Sequence, residues 1–242
     1  MRVGELIQGV ADVVFPPVCV HCGGLVGPGS YRHVCPACAS QIDFVLPPHC
    51  SLCGHPFSGA MEGTRECPHC RGLRPAYDSG CTAALFRGPV RALVIDLKYR
   101  GGWHLLGDAE EIFGRCPEAL ERARGSVLVP VPLHPRKLRE RGFNQSELLA
   151  GALARRARGG ARVDSLLRRL EDTPSQTSFG RRERQLNLKN AFALAPRASL
   201  NPALRHVLVD DVFTTGSTIN SCARALRRAG CPNLDVVTLS HG

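Results

Sequence analysis

Apolar and polar positions change rhythm several times along the 242 residues, and each change marks an element. The clearest stretch is Val207-Leu-Val-Asp-Asp-Val-Phe-Thr-Thr-Gly-Ser-Thr-Ile219. Three apolar residues run into two acids, a small hydroxyl-rich loop follows, and residues 219–229 have helix-forming character. This pattern reads as a buried strand ending in charge and turning tightly onto a helix N-terminus. Residues 81–86 read as another strand. Residues 89–99 have helical spacing, with Val90, Leu93, Val94 and Leu97 on one face, and the glycines at 101 and 102 stop the run. Residues 105–123 read as helical with a break near Pro117. The apolar run 127–133 is a strand that its two prolines cut short. Asn144 with Glu147 fits a capping box opening a helix over 145–157. At the N-terminus, Val3, Leu6, Ile7, Val10, Val13 and Val14 alternate with acids and amides, which predicts a short amphipathic helix stopped by Pro16-Pro17.

From Tyr77 onward, then, strands alternate with helices, the signature of an α/β domain. The preceding segment is different. Eight of the twelve cysteines form four Cys-x2-Cys pairs: Cys19/Cys22, Cys35/Cys38, Cys50/Cys53 and Cys67/Cys70. One pair reaches a tetrahedral ion from a tight turn, and two pairs complete a four-thiolate zinc site. The glycines and prolines beside the pairs suit such turns. Sequential pairing gives two zinc ribbons, over 19–38 and 50–70; an interleaved pairing satisfies the spacing equally. Redox dithiols or disulfides are the competing readings, which four regular pairs disfavour. The expected division is residues 1–74 for the N-terminal helix and double ribbon and 75–242 for the α/β domain, with a linker near 71–75. Cys81, Cys116, Cys222 and Cys231 stand alone and read as small buried hydrophobes.

With 43% hydrophobic residues the chain can build a sizeable core. No apolar run approaches the roughly 20 residues of a membrane span, and acids interrupt the N-terminal helix where a signal peptide would be apolar. Stable membrane insertion is not expected, and the expected location is cytoplasmic. The formal charge is +10, and two filled zinc sites leave about +6. The positive charge therefore concentrates downstream, where residues 132–190 hold fourteen Arg or Lys against six acids. A solvated surface accounts for such a run, and so does contact with phosphate or nucleic acid.

The chemistry of the 207–219 stretch is more specific. A strand-to-helix turn offers free N–H groups and the positive end of the helix dipole to an anion. Gly216 allows close approach, and the hydroxyls of Thr214, Thr215, Ser217 and Thr218 can donate to phosphate oxygens. Asp210 and Asp211 cannot bind phosphate, so sugar hydroxyls or a metal are their natural partners. A P-loop ATPase is disfavoured, because no G-x-x-x-x-G-K-[ST] and no Gly-Lys pair occurs.

This run resembles the phosphoribosyl pyrophosphate (PRPP) motif of type I phosphoribosyltransferases. The resemblance implies that Asp210 and Asp211 hold the ribose hydroxyls and that Thr214, Thr215, Gly216, Ser217 and Thr218 wrap the 5′-phosphate. Together with the four cysteine pairs, Leu97-Lys-Tyr-Arg-Gly, Val131-Pro-Leu-His, Arg141-Gly-Phe-Asn-Gln145 and Arg184 through Phe192, it makes nearly the whole chain resemble the ComF family. That family joins a cysteine-rich zinc domain to a phosphoribosyltransferase-like parallel sheet flanked by helices, and is associated with competence and DNA uptake. The one departure is Phe213, where a small aliphatic residue is more usual.

The resemblance further implies a pyrophosphate loop at 133–141, with Arg136, Arg139 and Arg141, and a lid at 173–190 carrying Arg181 and Arg182. Mg2+ would accompany PRPP, and two Zn2+ would be structural. Asp210, Asp211 and Arg141 are the expected catalytic groups; the acceptor is unassigned. Single-stranded DNA and other competence proteins are the further partners implied, and a DNA-binding protein or a non-catalytic PRPP sensor are the rival readings. Aromatic residues make up only 5%, so base-stacking platforms should be sparse.

Overall fold

The computed structural model describes residues 16–57, 67–68, 70–170 and 191–242. The expected N-terminal helix and the lid with Arg181 and Arg182 lie outside the described residues. Seven strands are described: β1 (Ser79–Leu85), β2 (Val127–Pro130), β3 (Arg162–Val163), β4 (Leu167–Arg169), β5 (Phe192–Leu194), β6 (His206–Phe213) and β7 (Leu234–His241). Among them run the helices α1 (Pro36–Ala39), α2 (Gly88–Tyr99), α3 (Leu106–Gly114), α4 (Pro117–Ala123), α5 (Pro135–Arg141), α6 (Gln145–Ala157) and α7 (Ser217–Arg228). A single 3₁₀ turn, Trp103–Leu105, links α2 to α3.

Five strands form one parallel sheet in the order β1-β7-β6-β2-β3, and β4 pairs with β5 in a separate antiparallel ribbon. After β2 the chain moves outward to β3; after β6 it moves the other way, to β7. The segments leaving β2 and β6 therefore diverge, and the crevice between their carboxyl ends is where an open α/β sheet binds ligands. The predicted apolar runs build a core on each face. Val207 and Val209 pack with Leu149, Ala150 and Leu153 of α6 and with Leu93 and Leu97 of α2. Leu208 packs on the opposite side with Cys222, Ala223 and Leu226 of α7.

The predicted helices fall close to their expected bounds, and α6 coincides with 145–157. Its N-cap is Asn144, whose side-chain oxygen accepts from Ser146 N–H at 3.1 Å. Three expectations need correction. The strand carrying the acids does not end at them but continues to Phe213, because Asp210 and Val212 keep their register with β7. The expected cationic loop after β2 is mostly the short helix α5, closed by Gly142 in the left-handed region. Strand β7 was missed, since Thr238 and Ser240 interrupt its apolar pattern; both are fully buried. Their hydroxyls are satisfied by Thr82 Oγ1 at 2.6 Å and by the Asp211 carbonyl at 2.9 Å.

The cysteine-rich segment is sewn to this sheet. Val45 N–H donates to Ala83 O, Leu85 N–H to Asp43 O and Gly80 N–H to Ser51 O. The outer edge of β1 is thereby covered, which removes an exposed strand edge.

Candidate functional site

The stretch expected to bind phosphate is the turn from β6 into α7. Gly216 is the N-cap of α7, with φ of 71° and no side chain capping the helix. A Cβ at this position would lie 2.6 Å from Phe213 Cζ and 2.9 Å from Leu73 Cδ2, so only glycine fits. The uncapped first turn presents N–H groups at the positive end of a twelve-residue helix. Thr215 Oγ1 donates to Ser217 Oγ at 3.0 Å, which orders the loop hydroxyls. Phe213 forms the floor of the turn, fully buried and stacked on His241 at 5.3 Å.

The two acids meet different partners. Asp211 is buried, and its Oδ1 lies 2.9 Å from Lys98 Nζ at the end of α2. Its Oδ2 is buried without a hydrogen-bond partner. Asp210 Oδ1 accepts from Ser146 Oγ at 2.8 Å and from Asp211 N–H at 2.9 Å. Burial pushes the Asp210 carboxyl up to about 7, and the charge on Asp211 pushes the same way against Ser146 and Lys98. Among the described residues Lys98 alone pairs with these acids, and one carboxylate oxygen of Asp211 has no donor. That is the state of a site that a polyhydroxyl ligand or a hard cation would complete.

The predicted arginines divide. Arg136 pairs with Glu140 of its own helix at 2.9 Å, and Arg139 is exposed. Arg141 turns to other partners: its guanidinium donates to Gln145 Oε1 and lies 5.1 Å from the centre of the Tyr99 ring. The acids thus contact Lys98 and Ser146, while Arg141 contacts the chain neighbours of those two residues, Tyr99 and Gln145. Lys98 and Ser146 had no assigned role in the sequence. The repeated basic residues of Leu97-Lys-Tyr-Arg-Gly were the available signal for Lys98, whereas Ser146 lies hidden inside a helix cap.

The cysteines gather as two sequential clusters, Cys19/Cys22/Cys35/Cys38 and Cys50/Cys53/Cys67/Cys70, each with its sulfurs within 4.8 Å of one another. All twelve cysteines are free of disulfides. Sulfurs around tetrahedral zinc at about 2.3 Å lie about 3.8 Å apart. The observed Cys22–Cys35, Cys50–Cys70 and Cys53–Cys67 separations are 3.8, 3.9 and 3.5 Å. The residues fit zinc, and the interleaved pairing is excluded.

The second cluster reaches the turn into α7. Leu73, three residues beyond Cys70, packs under Gly216. Asn220, in the first turn of α7, accepts from Ala76 N–H at 2.8 Å and donates to Leu73 O at 2.9 Å and Arg74 O at 3.2 Å.

The double zinc ribbon domain family matches residues 10–82. Competence protein F of Haemophilus influenzae is 28% identical over 92% of this chain and 96% of its own. The DNA utilization protein YhgH of Escherichia coli K12 is 32% identical, covering 84% and 88%, and competence protein ComFC of Bacillus subtilis is 25% identical, covering 81% and 79%. A solved hypoxanthine phosphoribosyltransferase of Staphylococcus aureus superposes with a TM-score of 0.36 at 14% identity, over 57% of this chain and 64% of that one, a likeness too loose to argue from. No helix among the described residues is long and apolar enough to cross a membrane.

Proposed function

The chain belongs to the ComF family, and from that premise we propose that it binds PRPP with Mg2+ and transfers the phosphoribosyl group to an acceptor. The observation that carries this reading is the unpartnered, buried Oδ2 of Asp211, beside Asp210 and just ahead of an uncapped helix N-terminus. In this reading Asp210 and Asp211 accept from the ribose 2′ and 3′ hydroxyls. The amides and hydroxyls of Thr214, Thr215, Gly216, Ser217 and Thr218 take the 5′-phosphate. Asp210 and Asp211 are also the carboxylates that would hold Mg2+, which supplies positive charge to the pyrophosphate and keeps the sugar oriented.

In the transfer, the bond from C1′ to the pyrophosphate oxygen breaks and pyrophosphate leaves with the electron pair. The acceptor atom bonds to C1′ and gives up a proton. Arg141, fixed by Gln145 and Tyr99, meets the negative charge that develops on the leaving group. The acids tolerate the positive charge that develops on the sugar, so the protein contributes position and electrostatics rather than a nucleophile. The names of the relatives, competence and DNA utilization proteins, support a link between this activity and DNA uptake.

Calorimetric titration with PRPP and Mg2+ tests the reading. The double variant Asp210→Asn, Asp211→Asn should lose at least about tenfold in affinity, as removal of charge-assisted hydrogen bonds requires. Unchanged affinity would refute the assignment. Pyrophosphate release across a panel of nucleobases then identifies the acceptor, and silence across the panel with binding intact would make the protein a sensor.

A further inference from the structure

The acid pair keeps a positive charge of its own. Lys98 Nζ lies 2.9 Å from Asp211 Oδ1, in the last turn of α2, where the helix dipole favours a cation. The helix end is fixed. Leu97 is fully buried, and a Cβ on Gly102 would come within 2.9 Å of the Asp96 and Leu97 backbone. The Lys98 side chain is freer: it is 22% exposed, where that of Asp211 is 6%. Its flexible four-carbon stem can swing toward solvent without moving the helix. Asp211 has no such freedom. Asp210 and Val212 on either side keep their register with β7, and the Asp211 carbonyl accepts from Ser240 Oγ at 2.9 Å.

The oxygens of the pair decide what else can bind. Asp210 Oδ1 already accepts from Ser146 Oγ and from Asp211 N–H. Asp211 Oδ1 faces Lys98, and Asp211 Oδ2 is buried with no hydrogen-bond partner. A hard divalent cation seeks such carboxylate oxygens. On the Asp211 carboxylate it would share one small group with the ammonium, and like charges that close repel strongly where water is scarce. We propose that Lys98 is a tethered stand-in for the divalent cation: its ammonium neutralises Asp211 in the free protein and swings out when the cation arrives. This role rests on the acid pair being a cation site, as the transferase reading has it, and needs nothing of PRPP itself. A divalent cation alone binds the resting site weakly, because it has to displace a charge already in place. Lysine suits the part and arginine does not, since a guanidinium grips a carboxylate by two bonds and is harder to release.

Mn2+, counted by electron paramagnetic resonance, probes the site in the zinc-loaded full chain with no PRPP present. The Asp210→Asn, Asp211→Asn variant supplies the blank for binding elsewhere. Lys98→Met should tighten Mn2+ binding at least about fivefold, as removal of a competing positive charge requires. Lys98→Arg should weaken it by about threefold or more. The swing itself is read in the unaltered chain, by acylating lysines with a succinimidyl ester and mapping the products by mass spectrometry. Labelling of Lys98 should rise at least about threefold on saturation with Mn2+, while that of Lys137, on α5, stays constant. Unchanged labelling of Lys98 would overturn the proposal, since the ammonium would then stay in place beside the cation. So would equal Mn2+ affinity in wild type and Lys98→Met, or no Mn2+ bound above the blank in either. If Lys98→Met does not fold, the labelling of wild type decides. Neither readout contains PRPP. Should the Asp210→Asn, Asp211→Asn variant keep its PRPP affinity, the transferase reading falls while Mn2+ and labelling still judge the stand-in.

Discussion

The two cysteine clusters share a ligand set and a spacing pattern, yet they serve different parts of the molecule. The first packs on the α2/α3 side of the sheet and is anchored there by Asp108 of α3. That buried carboxylate accepts from Arg32 N–H at 2.7 Å, His33 N–H at 3.1 Å and the His33 ring at 2.9 Å. One of its four cysteines, Cys22, is exposed. The second cluster has all four cysteines buried, within the core that contains Phe213, Cys222 and Ala223. Its trailing residues form one wall of the turn into α7, through Leu73 beneath Gly216 and the three bonds of Asn220. A duplicated motif has thus been put to two uses: one clamps outer helices, the other buttresses the site.

The largest expected effect breaks the comparison at the metal. A structural zinc contributes on the order of 10 kcal/mol or more, comparable to the whole stability of a domain. Cys53→Ser should therefore abolish folding, read as loss of cooperative thermal unfolding. Cys22→Ser, at the exposed corner where water can take the fourth ligand position, should weaken zinc binding at the first site without emptying it and leave PRPP affinity within about twofold. Equal loss of PRPP binding in both variants would erase the distinction between the clusters.

The next effects concern the two anchors. Asp108→Ala and Asn220→Ala each orphan buried donors or acceptors, at a cost of about 2–4 kcal/mol. In thermal unfolding the two should look alike. PRPP titration should separate them, with about a tenfold loss for Asn220→Ala and little change for Asp108→Ala. If both variants bind PRPP equally, the second cluster is no more part of the site than the first.

How much of this could be read from the sequence follows the same division. The acid pair, the strand-to-helix turn after it and the cysteine pairs were legible because each is local: one turn or one knuckle carries its own spacing. Helix α6 was legible to its ends through its periodicity and the Asn144 cap. Long-range partnerships were not. Lys98 meets Asp211 across more than a hundred residues of chain, and nothing near either residue announces the other. Strand β7 was obscured because hydroxyls that look solvent-facing are satisfied inside the sheet. The role of Leu73 and Asn220 needs the packing of the ribbon on α7, which spacing cannot supply.

The smallest effect sharpens the comparison from within the site itself. Asp210, strained by burial and by Asp211, has its folded pKa raised from an ordinary 3.8 to about 7. The native chain therefore holds a proton there that the unfolded chain has released. Stability should fall as pH rises from about 4, and the penalty is complete above about pH 7. Its size is on the order of 2–4 kcal/mol at pH 8. Asp210→Asn removes that penalty, so its melting temperature should exceed wild type at pH 8 and match it near pH 4, while PRPP binding is lost. In wild type, binding of Mg2+ and PRPP should tighten between pH 6 and pH 8 as the proton leaves. Because the second cluster supports this site, Cys22→Ser should keep the same pH dependence of melting. A flattened profile in that variant would mean that the first cluster shapes the acid pair after all.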